Sequence, residues 1–137
     1  MTGKIHVVLM AAVLLCAAPV AAGPDMKEGS WEITTTTEMS GIAMKMPPQK
    51  HTQCLTKNDV IPKDPQTPSN CVIKQQKITG NTVTWEMECT GDNVKTVSAG
   101  SVTYTGESFS GTMDITMSGT DMKIRSTMTG RRMGPCQ

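Results

Sequence analysis

From residue 29 onward, apolar and polar side chains alternate with a period of two, the spacing of a strand that buries one face. In the first run Trp31, Ile33, Thr35, Thr37 and Met39 fall on one side, with Glu32, Thr34, Thr36 and Glu38 opposite. Val83, Trp85, Met87 and Cys89 alternate with Thr82, Thr84, Glu86 and Glu88. Phe109, Gly111, Met113, Ile115 and Met117 do so against Ser110, Thr112, Asp114 and Thr116, and Met122, Ile124, Ser126 and Met128 against Lys123, Arg125, Thr127 and Thr129. Gly80-Asn81, Gly91-Asp92-Asn93, Gly106-Glu107 and Gly119-Thr120 punctuate these runs as hairpin turns. The pattern predicts strands over 29–39, 50–56, 71–79, 82–90, 94–105, 108–118 and 121–132, antiparallel where the connections are short. A helical turn capped by the Thr56 hydroxyl is expected after the second strand. Segments 40–48 and 62–70 read as loops, because Pro and Gly interrupt every pattern there. Gly100, inside a long strand, predicts a bulge or bend.

Strands with one apolar face and no amphipathic helix to cover it must curl or find a partner. The expected fold is therefore all-β: an antiparallel meander of about seven strands curled into a small barrel or half-barrel, closure being the device that removes exposed edges. The apolar lining expected from the alternation is Trp31, Ile33, Trp85, Met87, Phe109, Met113, Ile115, Met117, Met122, Ile124 and Met128. Gly29-Ser30-Trp31 resembles the G-x-W that opens the first strand of lipocalin-like barrels. Trp31 is expected to plug one end of the curled sheet, and the resemblance adds Arg131 or Arg132 as a late-strand cover for its indole.

The chain has 137 residues, and its first 22, MTGKIHVVLMAAVLLCAAPVAA, place Lys4 before an apolar run that ends in small residues. This is the form of an export signal. Cleavage after Ala22 leaves a single domain over 23–137, periplasmic or secreted. The other readings are a lipid anchor at Cys16, disfavoured by the bulky Leu15 before it, and an uncleaved membrane anchor, disfavoured by Pro19. Loss of Cys16 leaves Cys54, Cys71, Cys89 and Cys136, an even count that suggests two disulfides in an exported domain this short. Four cysteines allow three pairings; the Pro-rich VIPKDPQTPSN between Cys54 and Cys71 favours joining those two, leaving Cys89 for Cys136.

Removal of Lys4 leaves twelve Lys plus Arg (13 − 1) against twelve Asp plus Glu, a balance that argues against a nucleic-acid surface. Membrane contact is expected only through the export signal. The segment EMSGIAMKMPPQKH gathers Met39, Met44, Met46 and His51, soft thioethers beside an imidazole, a set that suits copper(I). The competing reading is that methionine replaces scarce aromatics as an adaptable core filler. Apart from copper no cofactor is expected. His51 is the one histidine after the signal, no nucleophile setting surrounds it, and Glu86 and Glu88 share an outward strand face, so no catalytic constellation is visible.

The residues MKEGSWEITTTTEM, then MKMPPQKHTQCLT, then GTMDITMSGTDMKIRSTMTGRRMGPC together resemble the exported bacterial proteins of domain-of-unknown-function family 3617. The resemblance spans the chain after the signal and implies a small exported protein with structural cysteines; it brings no activity and no catalytic residues. The expected role is a non-catalytic exported domain whose Met-rich inner face takes an apolar small molecule or a protein partner, set against a small barrel simply filled by side chains. The alternative role is periplasmic copper(I) handling by the Met-rich loop.

Overall fold

The computed structural model describes residues 23–43, 46–65, 67 and 70–137; residues 1–22, expected to be an export signal, and Cys16 among them lie outside the described residues. Seven strands form one antiparallel sheet: β1 Gly29–Met39, β2 Gln49–Leu55, β3 Cys71–Thr79, β4 Thr82–Gly91, β5 Val94–Thr105, β6 Ser108–Met117 and β7 Lys123–Gly134. Their order is β2-β1-β7-β6-β5-β4-β3. The sheet curls without closing, because β2 and β3 are its two edges and do not pair. Period-two alternation thus gave each strand to within about two residues.

The hairpins are tight. Asp92 and Asn93 both hold positive φ, 46° and 64°, between the paired residues Gly91 and Val94, which is the backbone of a two-residue turn matched to strand twist. Two expectations are corrected. The segment after Leu55 makes a turn closed by the Asp59 amide on the Thr56 carbonyl at 3.0 Å, and no helix forms. Gly100 keeps unbroken register with Trp85 and with Met113, so it is not a bulge. A Cβ built there would fall inside the Trp85 indole; the ring lies flat across the glycine, a packing need rather than a bend. Gly130 serves Phe109 in the same way. The register shifts fall elsewhere, between Ser30 and Trp31 and between Ile73 and Gln75.

Directly opposed residues share a face, so the register sorts the sheet into an inner and an outer surface. The outer one is hydroxyl-rich: Thr34, Thr129, Ser110, Thr103, Thr82 and Thr79 are opposed in succession from β1 to β3. The inner one is filled at one end. There Trp31, fully buried, meets Tyr104 and Phe109 at ring-centroid distances of 5.9 and 5.6 Å, and Val83, Val102, Ile33 and Met128 complete the core. Residues 23–28 cross beneath this end, where Met26 is buried and the Lys27 carbonyl accepts the Trp31 indole N–H at 3.1 Å. Of the two arginines, Arg132 is the one opposite Trp31, and its Nε donates to the Glu28 carbonyl at 2.8 Å. Arg131 faces outward and pairs with Glu32 at 3.1 Å.

With β2 and β3 at opposite edges, the chain between them must cross the concave side. It does so through Val60, Ile61 and Pro62, all buried on the aromatic end. The Tyr104 hydroxyl donates to the Val60 carbonyl at 2.6 Å, satisfying two groups that burial removes from water. Burial pushes the Tyr104 phenol above its ordinary value, with the nearby Asp59 carboxylate acting in the same direction.

The disulfides correct the expected pairing. Cys71 lies directly opposite Cys89 in the β3–β4 ladder and bonds to it, Cα atoms 4.0 Å apart. Ser30 of β1 has Cys54 opposite it on one side and Gly134 on the other, so Cys136 crosses the end of β1 to reach Cys54, Cα atoms 5.5 Å apart. Brackets around a Pro-rich loop carried no information about this, because the loop spans the whole sheet.

Two outcomes are expected. Loss of the bridge closing 82 residues, by Cys54→Ser with Cys136→Ser, costs about 4.5 kcal/mol, and loss of the bridge closing 18 costs about 3 kcal/mol, by urea unfolding, with non-reducing peptide mapping to check the pairing. Tyr104→Phe leaves the Val60 carbonyl unpaired and costs about 1–3 kcal/mol. Because folding raises the pKa of this phenol, its contribution to stability is intact below about pH 10 and falls as pH rises above that; in Tyr104→Phe the alkaline decline is correspondingly shallower.

Candidate functional site

Away from the aromatic end the inner face changes character. In successive inner rows, Thr37 opposes Ser126, which opposes Met113; Met39 opposes Ile124, then Ile115, then Ser98, then Met87. The large rings have given way to hydroxyls, methionines and isoleucines. Small side chains at Ser98, Ser126 and Thr37 cannot fill the width of a curled sheet, and a cavity of about 310 Å³ remains. Ser98 and Ser126 are 3% and 4% exposed, yet face this space. The Thr37 and Ser126 hydroxyls lie 3.2 Å apart across the β1–β7 ladder.

Three parts of the chain wall the cavity. The sheet supplies the floor; Met46 and Pro47, just before β2, and Asp64 and Thr67, in the crossing connector, supply the sides. Cys89 is one of the lining residues, so the Cys71–Cys89 bridge fastens edge strand β3 at the cavity itself. Trp85 and Gly100 sit in the row that ends the floor toward the aromatic core.

Of the expected lining, Met87, Met113, Ile115 and Ile124 wall the cavity, while Trp31, Ile33, Trp85, Phe109 and Met128 belong to the packed core. Met117 is half-buried opposite Thr96. Met122 is corrected: it lies in the turn before β7, 39% exposed, because β7 begins at Lys123 rather than at 121. Among the Met-rich loop residues, Met39 and Met46 both reach the cavity, and Met44 lies outside the described residues. His51 does not join them. It sits on an adjoining recess of about 20 Å³, its Nε2 3.0 Å from the Lys63 carbonyl. The thioethers that do share the cavity are Met39, Met46, Met87 and Met113, all but Met46 from strands.

Alternation found the floor and put Thr35, Thr37 and Ser126 on its side, but the expected apolar lining left the hydroxyls out. Thr35, Thr37, Thr96, Ser98 and Ser126 all line the cavity, and each occupies an inward slot in its strand. Small polar residues at inward positions were the available signal. Of the outward carboxylates, Glu86 is exposed, and the Lys95 ammonium, 2.9 Å from Glu88, holds that carboxyl below its usual range. Among the described residues, no three His, Cys, Asp or Glu side chains come together as a metal site.

A disulfide-stapled half-barrel, packed at one end and hollow at the other, is the class of protein that these elements define. The chain belongs to the family of proteins of unknown function DUF3617, whose model matches residues 26–136. No curated protein and no solved structure matches it.

Gly100→Val drives the Trp85 indole toward the cavity. The expected cost is about 1–3 kcal/mol by urea unfolding, with a shift in tryptophan emission that a Gly119→Ala control in the exposed turn does not show.

Proposed function

We propose that the protein works as an exported, non-catalytic binding domain, and that the hollow end of its half-barrel holds an apolar small molecule. One observation carries the reading: two almost fully buried serines face a cavity where core-sized side chains would otherwise stand. A domain this small gives up stability by leaving such space unfilled, since packing is the main favourable term. Its volume lies at the lower end of the range for small-molecule sites, and its walls mix apolar side chains with a few hydroxyls, as such sites do. Export is supported by the form of the first 22 residues and by two disulfides, which persist in oxidising compartments.

A copper(I) role is the second reading, favoured by the four thioethers on the cavity wall. It needs the methionines themselves, whereas the first reading needs only the space.

Titration of the protein lacking residues 1–22 with pyrene distinguishes them. Saturable binding is expected, with the vibronic intensity ratio moving to that of an apolar solvent. Filling the cavity by Ser98→Leu with Ser126→Leu should weaken binding at least tenfold while the fold, checked by circular dichroism, is kept. Equal pyrene binding in the filled variant would reject the cavity as the site. Copper(I) retained by the unsubstituted protein and lost in Met39→Leu with Met46→Leu, without pyrene binding, would select the second reading.

A further inference from the structure

We infer that the cavity is a site of methionine oxidation and that oxidation closes it: a peroxide converts the thioethers of Met39, Met46, Met87 and Met113 to sulfoxides, and the apolar ligand is then excluded. The inference rests on the binding reading above and concerns the regulation of that same site.

Exposure separates the methionines. Met26 and Met128 are 4% exposed and packed into the core. Met39, Met87 and Met113 are half-buried, Met46 is 43% exposed, and all four line the cavity, so an oxidant small enough to enter with water meets their thioethers together. Cys54, Cys71, Cys89 and Cys136 are already joined in disulfides, which leaves the thioethers as the oxidisable sulfur of the described residues. The step is a two-electron oxygen transfer: the sulfur bonds to one peroxide oxygen as the O–O bond breaks, and water leaves. Sulfur is oxidised and the peroxide reduced, and a flexible apolar side chain becomes a polar one.

The strand register supplies a partner for two of these sulfoxides. Met113 lies directly opposite Ser126, and Met87 directly opposite Ser98, both serines nearly fully buried and facing the cavity. Opposed side chains of an antiparallel ladder have Cβ atoms about 5 Å apart. A thioether is only a weak acceptor, whereas the oxygen of a sulfoxide accepts well. Ser126 and Thr37, 3.2 Å apart, keep one hydroxyl proton to donate after their mutual bond, and Ser98 brings another. The reduced cavity therefore presents an apolar wall, and the oxidised one presents sulfoxide oxygens held by serine hydroxyls in the space a ligand would occupy. Covering those groups with an apolar molecule strips them of water. Met122 and Met133, 39% and 56% exposed, oxidise as well, but they do not line the cavity and serve as controls within the same chain.

The test treats the protein lacking residues 1–22 with hydrogen peroxide at neutral pH, stops before Met26 and Met128 react, as followed by peptide mass mapping, and checks the fold by circular dichroism. Pyrene affinity should fall about tenfold, the consequence of burying polar groups against it. In Met39→Leu, Met46→Leu, Met87→Leu and Met113→Leu combined, swaps that nearly conserve volume, pyrene should bind before treatment and equally well after it, although Met122 and Met133 still gain oxygen. A reciprocal measurement needs no variant: pyrene at on the order of ten times its Kd should slow sulfoxide formation at Met87 and Met113 about tenfold and leave Met122 and Met133 unaffected. Unchanged pyrene affinity in the oxidised protein, or no protection of Met87 and Met113, would overturn the inference while the cavity reading stands. Absence of pyrene binding before any oxidation would remove the cavity reading and the inference together.

Discussion

The pairing of β1 with β7 is the constraint on which the rest of the structure depends. The ladder runs from Ser30 opposite Gly134 to Met39 opposite Ile124, so the first and last strands are central neighbours. Both sides of β1 are then occupied, and β2 is confined to an outer edge. The meander from β3 to β7 ends with β3 at the other edge. The chain between β2 and β3 has to cross the concave face. That crossing roofs an apolar surface that no helix covers, and the Tyr104 hydroxyl on the Val60 carbonyl locks it where the roof is deepest. The same pairing brings Cys136 across the end of β1 to Cys54.

Glycine and aromatic residues divide the interior unequally. Trp85 lies on Gly100 and Phe109 on Gly130, each large ring occupying the space of a missing side chain on the next strand. Together with Trp31 and Tyr104 they fill one end using every aromatic of a chain that has two Trp, one Tyr and one Phe. The other end is left to serine, threonine, methionine and isoleucine, which cover the sheet without spanning it. A hollow there follows from composition once the curvature is set.

The edges show how an open sheet is kept from pairing further. β3 carries Lys74 and Lys77 and a register shift next to them, devices that disfavour strand addition. Its apolar Val72, Ile73 and Ile78 remain exposed, held in place through the Cys71–Cys89 bridge at the strand's start. Adjacent cysteines in one ladder thus fasten the least covered strand. The longer bridge ties the chain's tail to the opposite edge.

Period-two alternation was enough to locate all seven strands and the inward faces of β1, β4, β6 and β7, because side-chain direction in a strand is set by backbone geometry alone. Trp31 as the plug of one end, and an even set of paired cysteines, were legible for equally local reasons. Strand order was not: β1 can pair with β7 only when residues about a hundred positions apart meet, and no local pattern records that. Cysteine pairing, the role of Gly100 and the exposure of Met122 all follow from strand order or from exact register, so they were misread. The candidate site was half legible. Met87, Met113, Ile115 and Ile124 were marked by their alternation, whereas Ser126 shared that inward side without being counted as lining and Ser98 lay in a strand whose faces were not assigned. Burial beneath a crossing connector is what turns those two hydroxyls into the floor of a cavity, and that burial exists only in the folded chain.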